Sequence, residues 1–419
     1  MLPKFDDPTL ISYLLSAASA IHEQANRGLA ADAIERLREC ATVVARVAQQ
    51  LDDRANPGQW TAQTEATAVA DGEAAFAAAE ATRAQTGLGP PRSSARRIDP
   101  DALEGYLRAH PLGGANLVLR EARLLPGGRC KLTALVSQAS ATGLPAEFIL
   151  RQDWQGGATD TSVITEYALL QQAAMAGIRA PRPLLLERNP AVLGQPFIFL
   201  ERMPGSVSAS LFTPPRSRTL GLQLASQVGR LHGLSIERFR GLVPQHSLAA
   251  DELARGVDGF KTMQASIGMQ SKLIDAAIEW LPRHLDDAGH TLCLTHNDLG
   301  FHNFLVQGES LSGLLDWELA AIGHPAADLG YVRPFVPLML PWSEFIDAYQ
   351  AAGGWNVEPA PLRFHTVWSA VRLYGLIMLA RAALARGLVN DVEITFACTD
   401  SLMLLFNALA RELGEALAL

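Results

Sequence analysis

The chain has 419 residues, roughly three times the ~150-residue size of an ordinary domain, so two or three folded units are expected. Hydrophobic residues make up 48% and charged residues 19%, enough for a large core, which excludes wholesale disorder. Lys and Arg number 35 against 43 Asp and Glu, and the net charge of −8 argues against a generally basic, nucleic-acid-binding surface. Cys40, Cys130, Cys293 and Cys398 lie far apart without a C-x-x-C pair, which points away from a disulfide framework or zinc knuckle and toward a reducing compartment. The opening MLPKFDDPTL places two aspartates where a secretory signal needs positive charge, and the most apolar stretch, Val367 to Ala380, is interrupted by Arg372. A soluble cytoplasmic protein with no membrane partner is expected.

Residues 1–86 read as helices. Leu10, Ile11, Leu14, Leu15, Ala18 and Ile21 recur at helical spacing, as do Ile34, Leu37, Ala41, Val44, Ala48 and Leu51, and an Ala-rich stretch follows Asn56-Pro57-Gly58. Nothing in this segment has the residue types of a catalytic site, so a helical bundle that packs on the rest of the chain or mediates a homo-oligomer is expected. Residues 87–101, rich in Gly, Pro, Ser and Arg, read as a linker.

Residues 102–204 switch to strand patterns. Leu117 to Leu125 and Leu132 to Ser137 flank Pro126-Gly127-Gly128 as a hairpin, Glu147 to Arg151 is a third strand, and Pro196 to Met203 a fourth. Between them Ser162 to Met175 is helical, with Gly177 at the position of a helix C-cap. Residues 205–419 are dominated by helical patterns, broken by short strands at Leu292 to Thr295, Phe304 to Val306 and Gly313 to Leu315. A β-rich lobe followed by a helix-rich lobe predicts an α+β, bilobal architecture.

The strongest chemical signal is His296-Asn297-Asp298-Leu299-Gly300-Phe301-His302-Asn303, an H-x-D-x-x-x-x-N spacing. An aspartate on a tight loop can receive the proton of a substrate hydroxyl, while an amide five residues on turns back toward Mg²⁺. Thirteen residues after Asn303, an apolar strand ends at Asp316-Trp317-Glu318. A carboxylate at the end of a buried strand suits a second Mg²⁺ ligand, since this ion prefers one or two protein carboxylates plus phosphate oxygens. Glu318 reads equally as a support for Asp316 or as structural, and His232 and His302 read as packing residues.

These motifs resemble the aminoglycoside-phosphotransferase and choline-kinase group of protein-kinase-like enzymes, in the branch related to kinase domains fused to some acyl-CoA dehydrogenases. The resemblance runs from about 115 to 400 and is strongest at His296–Asn303 and at Leu314–Leu329, with Gly323-His324-Pro325 and Asp328-Leu329. It implies a bilobal kinase-like fold, ATP or GTP as co-substrate and Mg²⁺ on Asn303 and Asp316. It implies Asp298 as catalytic base, His296 as a brace of the loop, Asp328 as a cap that stiffens it, and an adenine-contacting hinge near Glu201 and Met203. Gly127, Gly128 and Lys131 stand where the family's phosphate-covering turn lies. Arg151 stands where kinases carry a strand lysine, with Glu166 on the next helix as its natural partner; Arg keeps the charge but changes the geometry.

The acceptor site is expected in the helical region after Asp316. From residue 319 onward there are nine Asp and Glu against six Arg and no Lys, a modest excess that does not suggest the converging carboxylates a polycation needs. Trp317, Trp342, Trp355 and Trp368 are either core or the lining of an apolar pocket. A neutral or anionic alcohol is preferred; the resemblance implies a hydroxyacyl-CoA or similar compound, with Arg333, Arg363 and Arg372 available for anionic groups. An aminoglycoside or macrolide phosphotransferase is the alternative enzyme, and a pseudokinase scaffold the alternative of another class.

Overall fold

The structure is a computed structural model that describes residues 98–125, 131–139, 143–154, 161–207, 215–245, 250–266, 271–356, 358–385, 407 and 409–414. The helical segment expected over 1–86 and the Gly127-Gly128 turn lie outside these residues. The chain divides into two compact units, Met1–Ser93 with Ala380–Cys398 and Ser94–Leu379 with Thr399–Leu419. The lobes and the site belong to the second.

Helix α1 (Pro100–Ala109) takes up the last two residues of the stretch read as a linker. Asp99 Oδ1 accepts from the amides of Asp101 and Ala102 at 3.0 and 3.2 Å, and Pro100 at the first helical position sacrifices no hydrogen bond. Leu103 and Leu107, one turn apart, are fully buried against the sheet with Phe148, Phe197 and Phe199. Each such side chain contributes on the order of 2 kcal/mol by leaving water.

That sheet is antiparallel throughout, in the order β1-β2-β3-β5-β4, with β1 Leu119–Leu124, β2 Lys131–Gln138, β3 Glu147–Asp153, β4 Pro183–Glu187 and β5 Phe197–Glu201. The pattern of β3 positions the site. Phe148, Leu150 and Gln152 are buried on the α1 side, so the period of two turns Arg151 and Asp153 to the other face. Strand β4 escapes the sequence pattern because Pro181 and Pro183 introduce an unalternating Leu run; it lies at the sheet edge, where proline breaks no ladder.

Helix α2 (Val163–Met175) follows β3. Ser162 Oγ accepts from the Ile164 amide at 3.2 Å, and Asp153 Oδ1 accepts from the Val163 amide at 2.9 Å. Gly177 takes φ +77 just past the helix end, a left-handed conformation that favours glycine. Beyond β5, Gly205 (φ +97) turns the chain into β6 (Ser206–Val207), which pairs with β8 (Phe304–Gln307) and through it with β9 (Ser310–Leu314). The strand that leaves the first lobe is thereby hydrogen-bonded to the hairpin that carries Asn303 and Asp316 at its ends.

The second lobe is helical: α3 (Arg218–His232), α4 (Ala250–Ser266), α5 (Lys272–Arg283), α6 (Ala326–Val332), α7 (Trp342–Ala351) and α8 (Pro359–Ala385). Its core joins Phe260, Ile274, Ile278, Trp280 and Leu281 to Phe364, Val367, Val371 and Tyr374, one face of α8. Two glycines let backbones touch. A Cβ at Gly229 on α3 would collide with the Tyr349 carbonyl of α7, and one at Gly330 on α6 would come within 2.7 Å of the Thr366 amide of α8. The structure is the expected α+β, bilobal arrangement. Among the described residues, no helix is long and apolar enough to cross a membrane.

Candidate active site

A loop over 296–303 joins β7 (Cys293–Thr295) to β8, and β7 pairs with β10 (Ala321–Gly323), the strand that follows Asp316. Asn297 takes φ 63, a left-handed conformation that asparagine tolerates better than most residues, so the loop doubles back at once. Asp328, at the start of α6, holds this bend. It is fully buried and accepts from the His296 amide at 2.8 Å, the Asn297 amide at 2.7 Å and His232 Nε2 at 3.0 Å. Burial alone would raise its carboxyl; the hydrogen bonds from His232 and from the His296 amide outweigh burial and hold it below the usual carboxylate range. Behind it, Tyr349 Oη lies 2.9 Å from His232 Nδ1 and accepts from the Trp355 amide at 3.1 Å. The Tyr349 hydroxyl therefore donates to Nδ1, and the Nε2 proton points at Asp328. His296 is ordered likewise: its Nδ1 accepts from the Asp298 amide at 3.3 Å, so the Nε2 proton faces the Leu315 carbonyl at 3.0 Å.

The Asp298 carboxylate is held by both oxygens. Oδ1 accepts from Tyr331 Oη and Oδ2 from Asn303 Nδ2, each at 2.9 Å. Asn303 Nδ2 also reaches the Asp298 carbonyl at 3.1 Å, which leaves Asn303 Oδ1 as an acceptor for a cation. Burial, and then the Asp298 charge, push the Tyr331 phenol well above its ordinary value, so it stays a neutral donor. Half-buried Asp298 is thus a carboxylate with a fixed direction and a solvent-facing side.

Asp316, two residues past β9, is in the left-handed region at φ 63, ψ 62, and its Oδ1 accepts from Arg151 Nη2 at 3.0 Å. The same Nη2 is 3.4 Å from Glu318 Oε2, and Arg151 Nε is 3.2 Å from Glu166 Oε1. One buried guanidinium so meets three carboxylates from both lobes. Glu166 sits on the apolar stripe of α2 with Leu169, Leu170 and Ala173. Burial pushes it up to about 7 against the pull of Arg151, and Asp316 and Glu318 act in the same direction as burial. The guanidinium itself is held above its ordinary value: burial would lower it, and Glu166, Asp316 and Glu318 outweigh that. Glu166 Oε2 and Arg151 Nε are buried without hydrogen-bond partners, the Arg151–Glu166 approach being too oblique for one.

The geometry links these residues in one place: Arg151 to Asp316 and Glu166, Asn303 to Asp298, and His296 to the Leu315 carbonyl beside Asp316. Lys131 lies beside that group but is buried, with Nζ 3.0 Å from Asp153 Oδ1 and on the Thr161 carbonyl, and so braces the N-terminus of α2. Glu201 pairs with Arg182 at 3.0 Å at the end of β5, and Met203 packs over Gly313 of β9. Two participants were not legible as such. Tyr331 lies three residues after Asp328, one helical turn that aims both at the loop, and His232 lies one turn after Gly229, which brings it beside Tyr349. His232 reads from the sequence as a packing residue, although its spacing from a close-packing glycine was available as a signal, and Tyr331 had one in its spacing from a buried acid.

Among the described residues, no three His, Cys, Asp or Glu side chains converge into a metal cage. The donor set suits Mg²⁺ nonetheless: one carboxylate at Asp316, one amide oxygen at Asn303, three acidic groups facing one arginine, and orphaned buried polar atoms between them.

Comparison with known proteins agrees with this arrangement. A profile of the "phosphotransferase enzyme family" matches residues 121–365, more than half of the chain. The chain is 25% identical over 258 residues to acyl-CoA dehydrogenase family member 11 of Rattus norvegicus, covering 57% of this chain and 31% of that protein. It therefore spans about a third of the length of such relatives. It is 29% identical over 189 residues to viomycin phosphotransferase of Streptomyces vinaceus, 43% of this chain and 62% of that one. In structure it resembles a Ralstonia eutropha protein assigned as an aminoglycoside phosphotransferase, with TM-score 0.58 at 17% identity over 75% of this chain and 98% of that chain. The GDP complex of a mutant aminoglycoside 2′-phosphotransferase-IIIa gives 0.53 at 16% identity over 76% and 99%. These likenesses show a shared kinase-like fold. On the matched residues and that fold, the chain belongs to the phosphotransferase enzyme family, whose members move a phosphoryl group onto a small-molecule alcohol.

Proposed function

We propose that the chain is a cytoplasmic small-molecule kinase that transfers the γ-phosphoryl group of ATP or GTP to the hydroxyl of a hydroxyacyl-CoA or a similar neutral or anionic alcohol. The observation that carries this reading is the Asp298 carboxylate, fixed by Tyr331 and Asn303 on a loop pinned by Asp328, with the Arg151–Asp316 pair at the other end of the hairpin that Asn303 begins.

In this reading Asp298 orients the acceptor hydroxyl and receives its proton as the oxygen attacks the γ-phosphorus. The new oxygen–phosphorus bond forms while the bond to the β-bridging oxygen breaks, and the nucleoside diphosphate leaves. Arg151 places a permanent positive charge by the phosphates, and Glu166 and Glu318 keep its side chain in the cleft. Asn303 Oδ1 and Asp316 would hold Mg²⁺, which would supply positive charge against that of the phosphates. Glu201 and Met203 line the interlobe segment proposed to meet the base, and Gly127 and Gly128 the turn proposed to cover the phosphates, with Lys131 at the start of β2 held on Asp153 behind it.

The hydroxyacyl preference is supported by the relatives that carry acyl-CoA dehydrogenase names, and by the modest acidic content after residue 319. The test is nucleotide consumption and product mass across hydroxyacyl-CoAs, simple alcohols, sugars, aminoglycosides and macrolides, with Asp298→Ala as control. Turnover of a hydroxyacyl compound that vanishes in Asp298→Ala is expected; efficient turnover of aminoglycosides alone would overturn the acceptor assignment.

A further inference from the structure

A hollow of about 250 Å³ lies where the turn between α2 and β4 meets α3, and the transfer chemistry makes no use of it. Leu222, Gln223, Ser226, Gln227 and Arg230 line it from successive turns on one side of α3, and Arg179 lines it from the turn. The lining brings two guanidiniums and no acid. Its volume is just below that of small-molecule pockets, room for a compact ion with a few carbons.

Gln227 is the buried part of this lining, only 4% exposed. Its Oε1 accepts from the Arg179 amide at 3.1 Å, which orients the side chain and leaves Nε2 as a donor. That Nε2 has no partner among the described residues and is not sealed in protein, so its N–H bonds turn to the hollow. Arg179 is held in place beforehand. Its Nη1 donates to Gln223 Oε1 at 3.2 Å and to the Leu311 carbonyl, and its own carbonyl accepts from the Leu314 amide at 2.7 Å. Among the described residues, nothing pairs with Arg179 Nη2 or with any nitrogen of Arg230. Ser226 spends its proton on the Leu222 carbonyl at 2.9 Å. What remains unpaired is a set of N–H donors carrying two positive charges, on a scaffold that needs little reordering to bind.

We propose that this hollow binds a phosphate group, free or as a small ester, with Arg179 and Arg230 meeting its charge and Gln227 Nε2 donating to one oxygen. A carboxylate has two oxygens and one charge for these donors. A phosphate monoester has three oxygens and nearly two charges, and arginine grips it with two parallel hydrogen bonds. Leu222 supplies the apolar wall for the ester's carbons. The lining shares no residue with the surroundings of Asp298 and does not rest on the kinase reading. Its residues Arg179 and Gln223 also hold β9, the strand that leads to Asp316.

The experiment is NMR of the full chain labelled with ¹⁵N-glutamine, which reads the hollow itself and not the phosphate groups' other binding places. The Gln227 side-chain amide signal is identified by its loss in Gln227→Glu, a variant that keeps the acceptor for the Arg179 amide. It is then followed while inorganic phosphate, glycerol 3-phosphate or acetate is added at constant ionic strength. A saturable shift with the phosphate probes and none with acetate is expected. Arg230→Gln, which removes an exposed and unpaired charge, is expected to weaken phosphate binding about tenfold to a hundredfold. Unchanged signals of the other glutamines report that this variant is folded. Tighter binding of glycerol 3-phosphate supports the site as one for an ester, and equal or tighter binding of inorganic phosphate supports it as one for the free ion. A Gln227 signal that no phosphate probe moves, that acetate moves equally, or that responds alike in Arg230→Gln would overturn the proposal.

Discussion

The two halves of the cleft hold their charges in opposite ways. On the catalytic-loop side, Asp328 and Asp298 are each satisfied by neutral donors: backbone amides, an imidazole, a phenol and a side-chain amide. On the nucleotide side, one arginine faces three carboxylates, and buried atoms of the cluster lack partners. A fully paired network fixes geometry, whereas an unbalanced one waits for charge from elsewhere. The loop side is built to hold the reacting carboxylate still, and the Arg151 side to rearrange around a cation and phosphates.

Breaking the unbalanced side should cost most. Arg151→Met leaves Glu166, Asp316 and Glu318 facing one another, and a loss of about 3–5 kcal/mol is expected from one-sided removal of a buried pair. Thermal denaturation with and without Mg-nucleotide checks this; the bound state should rescue less in the variant than in wild type. Arg151→Lys keeps the charge but cannot fork to three acids, and about tenfold weaker nucleotide binding is expected.

Asp328→Ala tests the paired side. It strands the amides of His296 and Asn297 and the imidazole of His232, at about 1–3 kcal/mol for each buried group left unsatisfied. Here kcat should fall more than nucleotide affinity, because the loop moves while the Arg151 cluster stays. His232→Phe removes one contact of the three and should show a smaller version of the same split. Equal loss of kcat and nucleotide affinity in either variant would show that the two sides are not separately held.

An effect spread over several pH units separates the loop's foundation from its chemistry. Burial pulls the stacked His324 and His365 down to about 3 and about 4, with His365, His232 and His290 adding to the shift at His324. Their folded values lie below the unfolded value near 6.5, so on acidification the unfolded chain takes up protons first. The stability they provide is complete above about pH 6.5 and is lost as pH falls toward 4 and then 3, by at most about 1.4 kcal/mol per pH unit for each histidine. Denaturant titrations from neutral to acid pH check the slope, and His365→Gln should flatten it.

How much of this was legible in the sequence follows from what each residue touches. Asp298, Asn303 and Asp316 sit on a local spacing that their loops preserve, and Arg151 with Glu166 follows from a strand leading into a helix. The sheet was readable except for β4, whose prolines conceal it. His232 and Tyr331 were not readable in their roles, because each depends on a helix crossing between segments far apart in the chain: α3 on α7 at Gly229, and α6 on α8 at Gly330. A sequence pattern shows that a face is buried without showing which buried partner it meets. Arg333, available from the sequence for an anionic group, is committed by the fold to Glu412.

The central claim is that Asp298 performs the transfer and does not bind the nucleotide. Phosphorus NMR of the reaction with an accepted alcohol, run beside calorimetry of Mg-nucleotide binding, tests it in Asp298→Asn. The account predicts that phosphoester formation drops about 10²- to 10⁴-fold while nucleotide affinity stays within about twofold of wild type. Phosphoester formation by Asp298→Asn at the wild-type rate would contradict it.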